Sequence, residues 1–154
     1  MHTFLRTVGI PGVSNFGTVD GDAGIYRSAC PEAPLGYGAL KLQGVKTVLC
    51  LQQEDPDEPS DLKLLWYPLF APMPVPLEQY VTILAGIENA PKPLLIHCLQ
   101  GHDRTGVVCA AYRLTHGWSL TDAIEEMKAY GFLEIWIPLM DSLKAFAKSI
   151  GVKT

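Results

Sequence analysis

The run His97-Cys98-Leu99-Gln100-Gly101-His102-Asp103-Arg104-Thr105-Gly106, entered through Pro93-Leu94-Leu95-Ile96, decides how this chain is read. Pro93 to Ile96 is a short apolar run suited to a buried strand, and Thr105 to Leu114 (TGVVCAAYRL) suits a buried helix. The segment between them is a strand-to-helix turn. Such a turn offers the unpaired N–H groups and the positive dipole end of the helix, and consecutive loop amides can face inward as a nest. With a thiol, Cys98, at one end and a guanidinium, Arg104, at the other, it becomes an anion cradle that holds a nucleophile.

Each residue type in the cradle has a chemical reason. A thiol at a helix N-terminus beside a guanidinium favours its thiolate, the form that attacks phosphorus and makes a phosphocysteine. Arg104 presents a planar fork that grips two phosphate oxygens and follows them as the phosphoryl group flattens, which a lysine does not. Gly101 permits a backbone conformation or close approach that a side chain would block. Thr105 can bring a hydroxyl to the sulfur and stabilise it as the leaving group of a second step. Leu99, Gln100 and His102 complete the phosphate-binding set, Gln100 through its backbone only. His102 is expected at the pocket mouth, either as a cation favouring substrates with several phosphates or as an exposed residue without consequence.

The string His-Cys-x5-Arg-Thr-Gly resembles the signature loop of the cysteine-dependent protein tyrosine phosphatase superfamily, and the chain length fits its small dual-specificity branch. Ile25 to Pro31 (IYRSACP) and Gly44 to Leu51 (GVKTVLCL) extend the similarity, which spans residues 15 to 130 in order. The resemblance implies an α/β fold, a central four- to five-stranded, mostly parallel sheet flanked by helices. It also implies a phosphomonoester hydrolase acting through phosphocysteine on protein phosphotyrosine, phosphoserine or phosphothreonine, with no metal and no organic cofactor. His97 is expected to orient the loop and tune Cys98. Arg27 is open between a substrate contact and an ordinary surface residue.

In most of that superfamily an upstream loop, corresponding here to Tyr67 through Pro76, supplies an aspartate general acid. This chain reads YPLFAPMPVP there, with no carboxylate. Asp103 offers a replacement, in a pattern that resembles myotubularin-type lipid phosphatases and some secreted bacterial tyrosine and phosphoinositide phosphatases. A bound phosphate disfavours the ionised form of a neighbouring carboxyl, which suits it to protonate a leaving oxygen. Two alternatives stay open. Asp103 holds loop amides or Arg104 while Glu54, Asp55 or Asp57 donates the proton, or water serves. The competing functions are a phosphoinositide or inositol-phosphate phosphatase and a catalytically weak phospho-binding module. A rhodanese or arsenate reductase fits the string poorly.

Composition bounds the rest. A chain of 154 residues, 48% hydrophobic, is long enough for one domain, expected over residues 1–154. A net charge of −4 argues against a general polyanion-binding surface and so against nucleic acid as a partner. No apolar run is long enough to span a membrane and no secretory leader is evident, so a cytoplasmic monomer acting on a phosphorylated protein or phosphoinositide is expected. Cys30, Cys50 and Cys109 read as small buried apolar groups, with a resolving disulfide to Cys98 as the alternative. No Cys-x2-Cys or His-x3-5-His pair suggests a metal.

Patterning predicts an N-terminal edge ribbon with strands near 18–20 and 24–27, a helix over 35–43, a strand over 45–51 and a proline-spaced loop over 68–76. A helix over Leu77 to Asn89 is expected to bury Leu77, Val81, Leu84, Ala85 and Ile87. Ser119 caps a helix running to about Tyr130, which Gly131 stops. A last helix from Ile135 or Pro138 to Ile150 places Leu139, Leu143, Phe146 and Ile150 on one face. Trp66 and Trp136 read as packing.

Overall fold

Five short strands make one sheet: β1 (Gly17–Asp20), β2 (Ile25–Ser28), β3 (Thr47–Cys50), β4 (Lys63–Trp66) and β5 (Leu94–His97), in the order β1-β2-β5-β3-β4. The computed structural model describes residues 9–54, 56 and 61–154; Asp55 and Asp57 lie outside them. All neighbouring pairs are parallel except β1 with β2. The sheet is thus five-stranded and mostly parallel, as expected of the fold. The N-terminal ribbon, however, is an edge only at β1, because β2 is buried and pairs with β5.

Strand alternation divides the core in two. Ile25, Leu49, Leu94 and Ile96 face one cluster, while Tyr26, Val48 and Leu95, each one residue out of phase, face another. The second cluster is closed by Tyr37 and Leu40 of helix α1 (Leu35–Leu42). The first is covered by α2 (Leu77–Asn89), α3 (Arg104–Thr115), α4 (Leu120–Ala129) and α5 (Ile137–Ser149). Helix α3 packs against all three of these neighbours, and every residue from Thr105 to Leu114 is buried. That burial fixes the direction in which the helix N-terminus points, and with it the loop before it.

Three expectations about packing need correction. Helix α2 has the predicted bounds but buries Tyr80, Ile83 and Ile87, whereas Val81 is 62% exposed and Leu77 is also exposed. The face is set by the i, i+3, i+7 row of larger side chains, each worth roughly 1.5–3 kcal/mol on burial, and Tyr80 completes it by meeting Ser142 at 3.2 Å. Strand β4 was not anticipated; it is an edge strand with both ends exposed, so its sequence lacks a buried strand's apolar run. Its Trp66 is 40% exposed and donates its indole N–H to the Gln52 carbonyl at 2.8 Å, so it is not a core ring.

The helix ends follow their local signals. Ser119 accepts the Asp122 N–H at 3.1 Å at the start of α4. Leu139, Leu143 and Phe146 of α5 are buried as predicted, but Ile150 lies past its end and is exposed. Among the described residues no helix is long and apolar enough to cross a membrane.

Candidate active site

Residues 98–103 join β5 to α3 and pass over the edge of β2. The carbonyls of Leu99, Gln100 and Gly101 are hydrogen-bonded from behind. The Leu99 carbonyl accepts the Cys30 N–H at 3.0 Å, and the Gly101 carbonyl accepts Nη2 of Arg27 at 2.9 Å. Nδ2 of Asn15 reaches the carbonyls of Gln100 at 3.3 Å, Gly101 at 3.4 Å and Tyr130 at 3.0 Å. By contrast, no backbone N–H of residues 99–104 donates to any described residue. With the carbonyls anchored on one side, the amides are left for an anion on the other.

Gly101 makes that arrangement possible. Its φ is +73°, and a Cβ there would meet the Ser28 carbonyl at 2.6 Å and the Ala29 nitrogen at 2.7 Å. The loop packs backbone to backbone on the end of β2, where any side chain would drive it off. Arg27 is therefore no substrate contact and no surface residue. It is 1% exposed, its guanidinium stacks 3.9 Å over the Tyr130 ring, and it supports the loop from beneath.

In front of the loop lies a cavity of about 200 Å³. Cys98, 2% exposed, is in its lining, together with Leu99, Gln100, His102, Asp103 and Arg104. Ala71 and Trp136 supply the rest of the wall. The proline-spaced loop thus rims the pocket, and its Leu69 carbonyl accepts Nη1 of Arg104 at 3.4 Å. His102 packs its ring on Gly131, where a Cβ would come within 2.8 Å of it.

Asp103 lines the same cavity as Cys98 and Arg104. Its Oδ1 accepts the Leu133 N–H at 3.1 Å, and among the described residues no loop amide and no Arg104 nitrogen donates to it. Glu54 does not line this cavity. Thr105 is wholly buried, and its Oγ1 has no partner among the described residues. His97 is fully buried; its Nδ1 lies 3.1 Å from the Cys98 carbonyl, to which it can donate, and its Nε2 has no partner. Burial, reinforced by the Arg104 charge and opposed by the Cys98 carbonyl, pushes its pKa down to about 4, so the ring is neutral at pH 7.

The other three cysteines are free thiols. Burial raises each of them, Cys50 up to about 11, against the partial relief that the Gln52 N–H gives Cys50. They are held protonated, and none lines the cavity. A larger cavity of about 570 Å³ sits at the C-terminal end of α3, but its Arg113 is engaged by Glu126 at 2.7 Å and its Tyr112 by Asp20 at 2.9 Å. It holds no cysteine.

Sequence reasoning missed Asn15 and Trp136, and left the role of Arg27 open. Asn15 carried one usable signal, a polar residue tolerant of positive φ, and its φ is 52°. Trp136 carried none, since it reaches the site from a distant segment, whereas Ala71 falls in the proline-spaced loop expected to rim the pocket.

A family model described as "Tyrosine phosphatase family" matches residues 44–127. The dual specificity protein phosphatase TpbA of Pseudomonas aeruginosa is 33% identical over 114 residues, 70% of this chain and 51% of that protein. The inositol diphosphatase DSP3 of Arabidopsis thaliana is 30% identical over 127 residues, 73% of this chain and 60% of that protein. The chain thus spans about half the length of the TpbA relative. Among solved structures, P. aeruginosa TpbA superimposes with a TM-score of 0.71 at 27% identity, covering 94% of this chain and 88% of that one. The core catalytic domain of the S. cerevisiae PP-IP phosphatase SIW14 gives a TM-score of 0.74 at 23% identity, covering 90% and 88%, a likeness of fold.

Proposed function

Because the chain belongs to the tyrosine phosphatase family, we propose that it is a cysteine-dependent phosphomonoester hydrolase, residues 1–154 forming one catalytic domain, that acts on phosphorylated protein. The observation that carries this reading is the loop whose Leu99, Gln100 and Gly101 carbonyls are hydrogen-bonded behind while its amides stay unpaired and Cys98 and Arg104 line one cavity.

The Cys98 thiolate attacks phosphorus, the S–P bond forms and the P–O bond to the leaving group breaks. Asp103 gives a proton to the leaving oxygen. Water then attacks the phosphocysteine and loses a proton to the Asp103 carboxylate. The S–P bond breaks, inorganic phosphate departs and the thiolate returns. Arg104 and the loop amides hold the equatorial oxygens through both steps, where charge spreads in the transition state. The unpartnered Thr105 hydroxyl is available to hydrogen-bond the departing sulfur. His97, neutral and donating to the Cys98 carbonyl, fixes the loop's first peptide without supplying a proton.

A second reading, hydrolysis of inositol phosphates, draws on the name of the Arabidopsis relative. A nucleophilic thiolate suits a reducing compartment, consistent with a cytoplasmic protein, and the mechanism needs a single copy of the chain. Turnover of a generic aryl phosphate by wild type and by Cys98→Ser tests the proposal. Wild-type turnover that Cys98→Ser abolishes supports it; phosphate binding with no wild-type turnover overturns it.

A further inference from the structure

We propose that Trp136 is the specificity-determining residue of this pocket, its indole the flat apolar wall against which the ring of an aryl phosphate lies. The inference rests on the phosphatase reading above and concerns which leaving group that site prefers.

Trp136 and Ala71 are the two described cavity residues outside the phosphate loop, so whatever surrounds the leaving group must be read from them. Alanine offers little surface. The indole offers a great deal, and its character is set by its orientation: Nε1 is sealed from solvent and has no acceptor among the described residues. With Nε1 inaccessible, what the half-buried indole exposes is ring carbon. No hydrogen bond holds the indole in place. Its backbone is fixed instead, by the Trp136 N–H on the Leu133 carbonyl at 3.1 Å and by the Met140 N–H on its own carbonyl at 3.1 Å, where α5 begins. Leu133 in turn donates to Asp103, which couples the wall to the loop that holds the phosphate.

Charge and volume point the same way. Among the described residues that line the cavity, Arg104 is the one lysine or arginine. A polyphosphorylated inositol would bring several dianions to one permanent cation, in a chain of net charge −4. A space of about 200 Å³ suits one phosphate and part of a ring. The lining continues the apolar character at Leu99, which is 58% exposed. An aromatic ring with a single phosphate satisfies all of these at once, by stacking on the indole while its phosphate enters the loop.

The test measures binding in the Cys98→Ser background, so that it does not depend on turnover. Inorganic phosphate, myo-inositol hexakisphosphate and one peptide carrying either phosphotyrosine or phosphothreonine are titrated by calorimetry. They are compared across Trp136, Trp136→Phe, Trp136→Leu and Trp136→Ala. The parent is expected to prefer phosphotyrosine over phosphothreonine by about 10-fold. Trp136→Ala and Trp136→Leu should remove most of that preference with inorganic phosphate changed less than about 2-fold, and Trp136→Phe should restore it. Equal weakening of all ligands, an unchanged preference, or tighter binding of the inositol phosphate would overturn the proposal. Should Trp136→Ala fail to fold by thermal unfolding, the Leu and Phe variants, which keep bulk, decide between a flat ring and mere volume. A wild type that binds phosphotyrosine selectively but never turns it over would sink the hydrolase reading while leaving the wall in place.

Discussion

The Oδ1 oxygen of Asp103 accepts the backbone N–H of Leu133 at 3.1 Å, joining the phosphate loop to the segment that leads into α5. One carboxylate oxygen is thereby fixed, and the same side chain lines the cavity with Cys98. An acid held in this way needs no second loop to bring it in. Asp103→Asn keeps an oxygen for Leu133 and loses only the transferable proton. Its kcat/KM on an alkyl phosphate should fall by about 10²–10³-fold, and on an aryl phosphate with a strongly acidic leaving group by less than about 10-fold. Leaving-group series measured on both proteins check this; equal losses on the two substrate types would make Asp103 a structural residue.

Gly101→Ala should be among the most damaging single changes outside the nucleophile. The added Cβ would sit 2.6 Å from the Ser28 carbonyl at a φ of +73°. Backbone on both sides leaves nothing flexible to yield. A loss of about 2–4 kcal/mol in urea unfolding is expected, together with loss of phosphate binding.

Arg27→Ala removes the donor to the Gly101 carbonyl and the cation over Tyr130, and leaves a buried cavity. Stability should drop by about 2–4 kcal/mol. The activity that remains should be lower in kcat/KM than Cys98-independent controls of stability explain, because the loop's back support is gone. Arg27→Lys, which keeps the charge without the fork, should recover only part of either quantity. Urea melts and steady-state kinetics on the three proteins decide it; unchanged kinetics in a folded Arg27→Ala would remove the residue from the loop's support.

His97 predicts a pH dependence with a definite sign. Its folded pKa, about 4, lies below the ordinary 6.5, so between those values the unfolded chain binds more protons than the folded one. Its contribution is complete above about pH 6.5 and is lost as pH falls toward 4. The full effect is about 3 kcal/mol. Urea unfolding from pH 7 to pH 4 should show stability declining through that window, and His97→Asn should flatten the profile after its own offset. A wild-type profile flat across the window would contradict the buried neutral ring.

The groups proposed to react could be picked out of the sequence because they are neighbours along it: Cys98, Asp103 and Arg104 share one turn and line one cavity, and the apolar runs on either side announce β5 and α3. What supports them was not legible, because it arrives across the fold. Asn15 lies 85 residues before the Gln100 carbonyl that it holds, and Arg27 74 residues before Gly101. Asn15's tolerance of positive φ and Arg27's place in the Ile25–Pro31 stretch are local signals, but neither says which carbonyl the side chain holds. Trp136 read as packing, and it does pack on the core, but only the folded chain sets it beside Cys98. The α2 face was misassigned for a related reason. Periodicity showed that a helix was there, while the choice between Val81 and Tyr80 depended on what α5 presented to it.

The proposed mechanism requires Cys98 to become covalently phosphorylated during turnover. Rapid acid quenching of the protein with an aryl phosphate, followed by mass spectrometry of the peptide that spans residues 97–106, tests it most directly. The account predicts one phosphoryl group on Cys98, formed before steady state, more abundant in Asp103→Asn with an activated substrate as hydrolysis slows, and missing in Cys98→Ser. Turnover with Cys98 unmodified at every quench time, or turnover that survives Cys98→Ser, would contradict it.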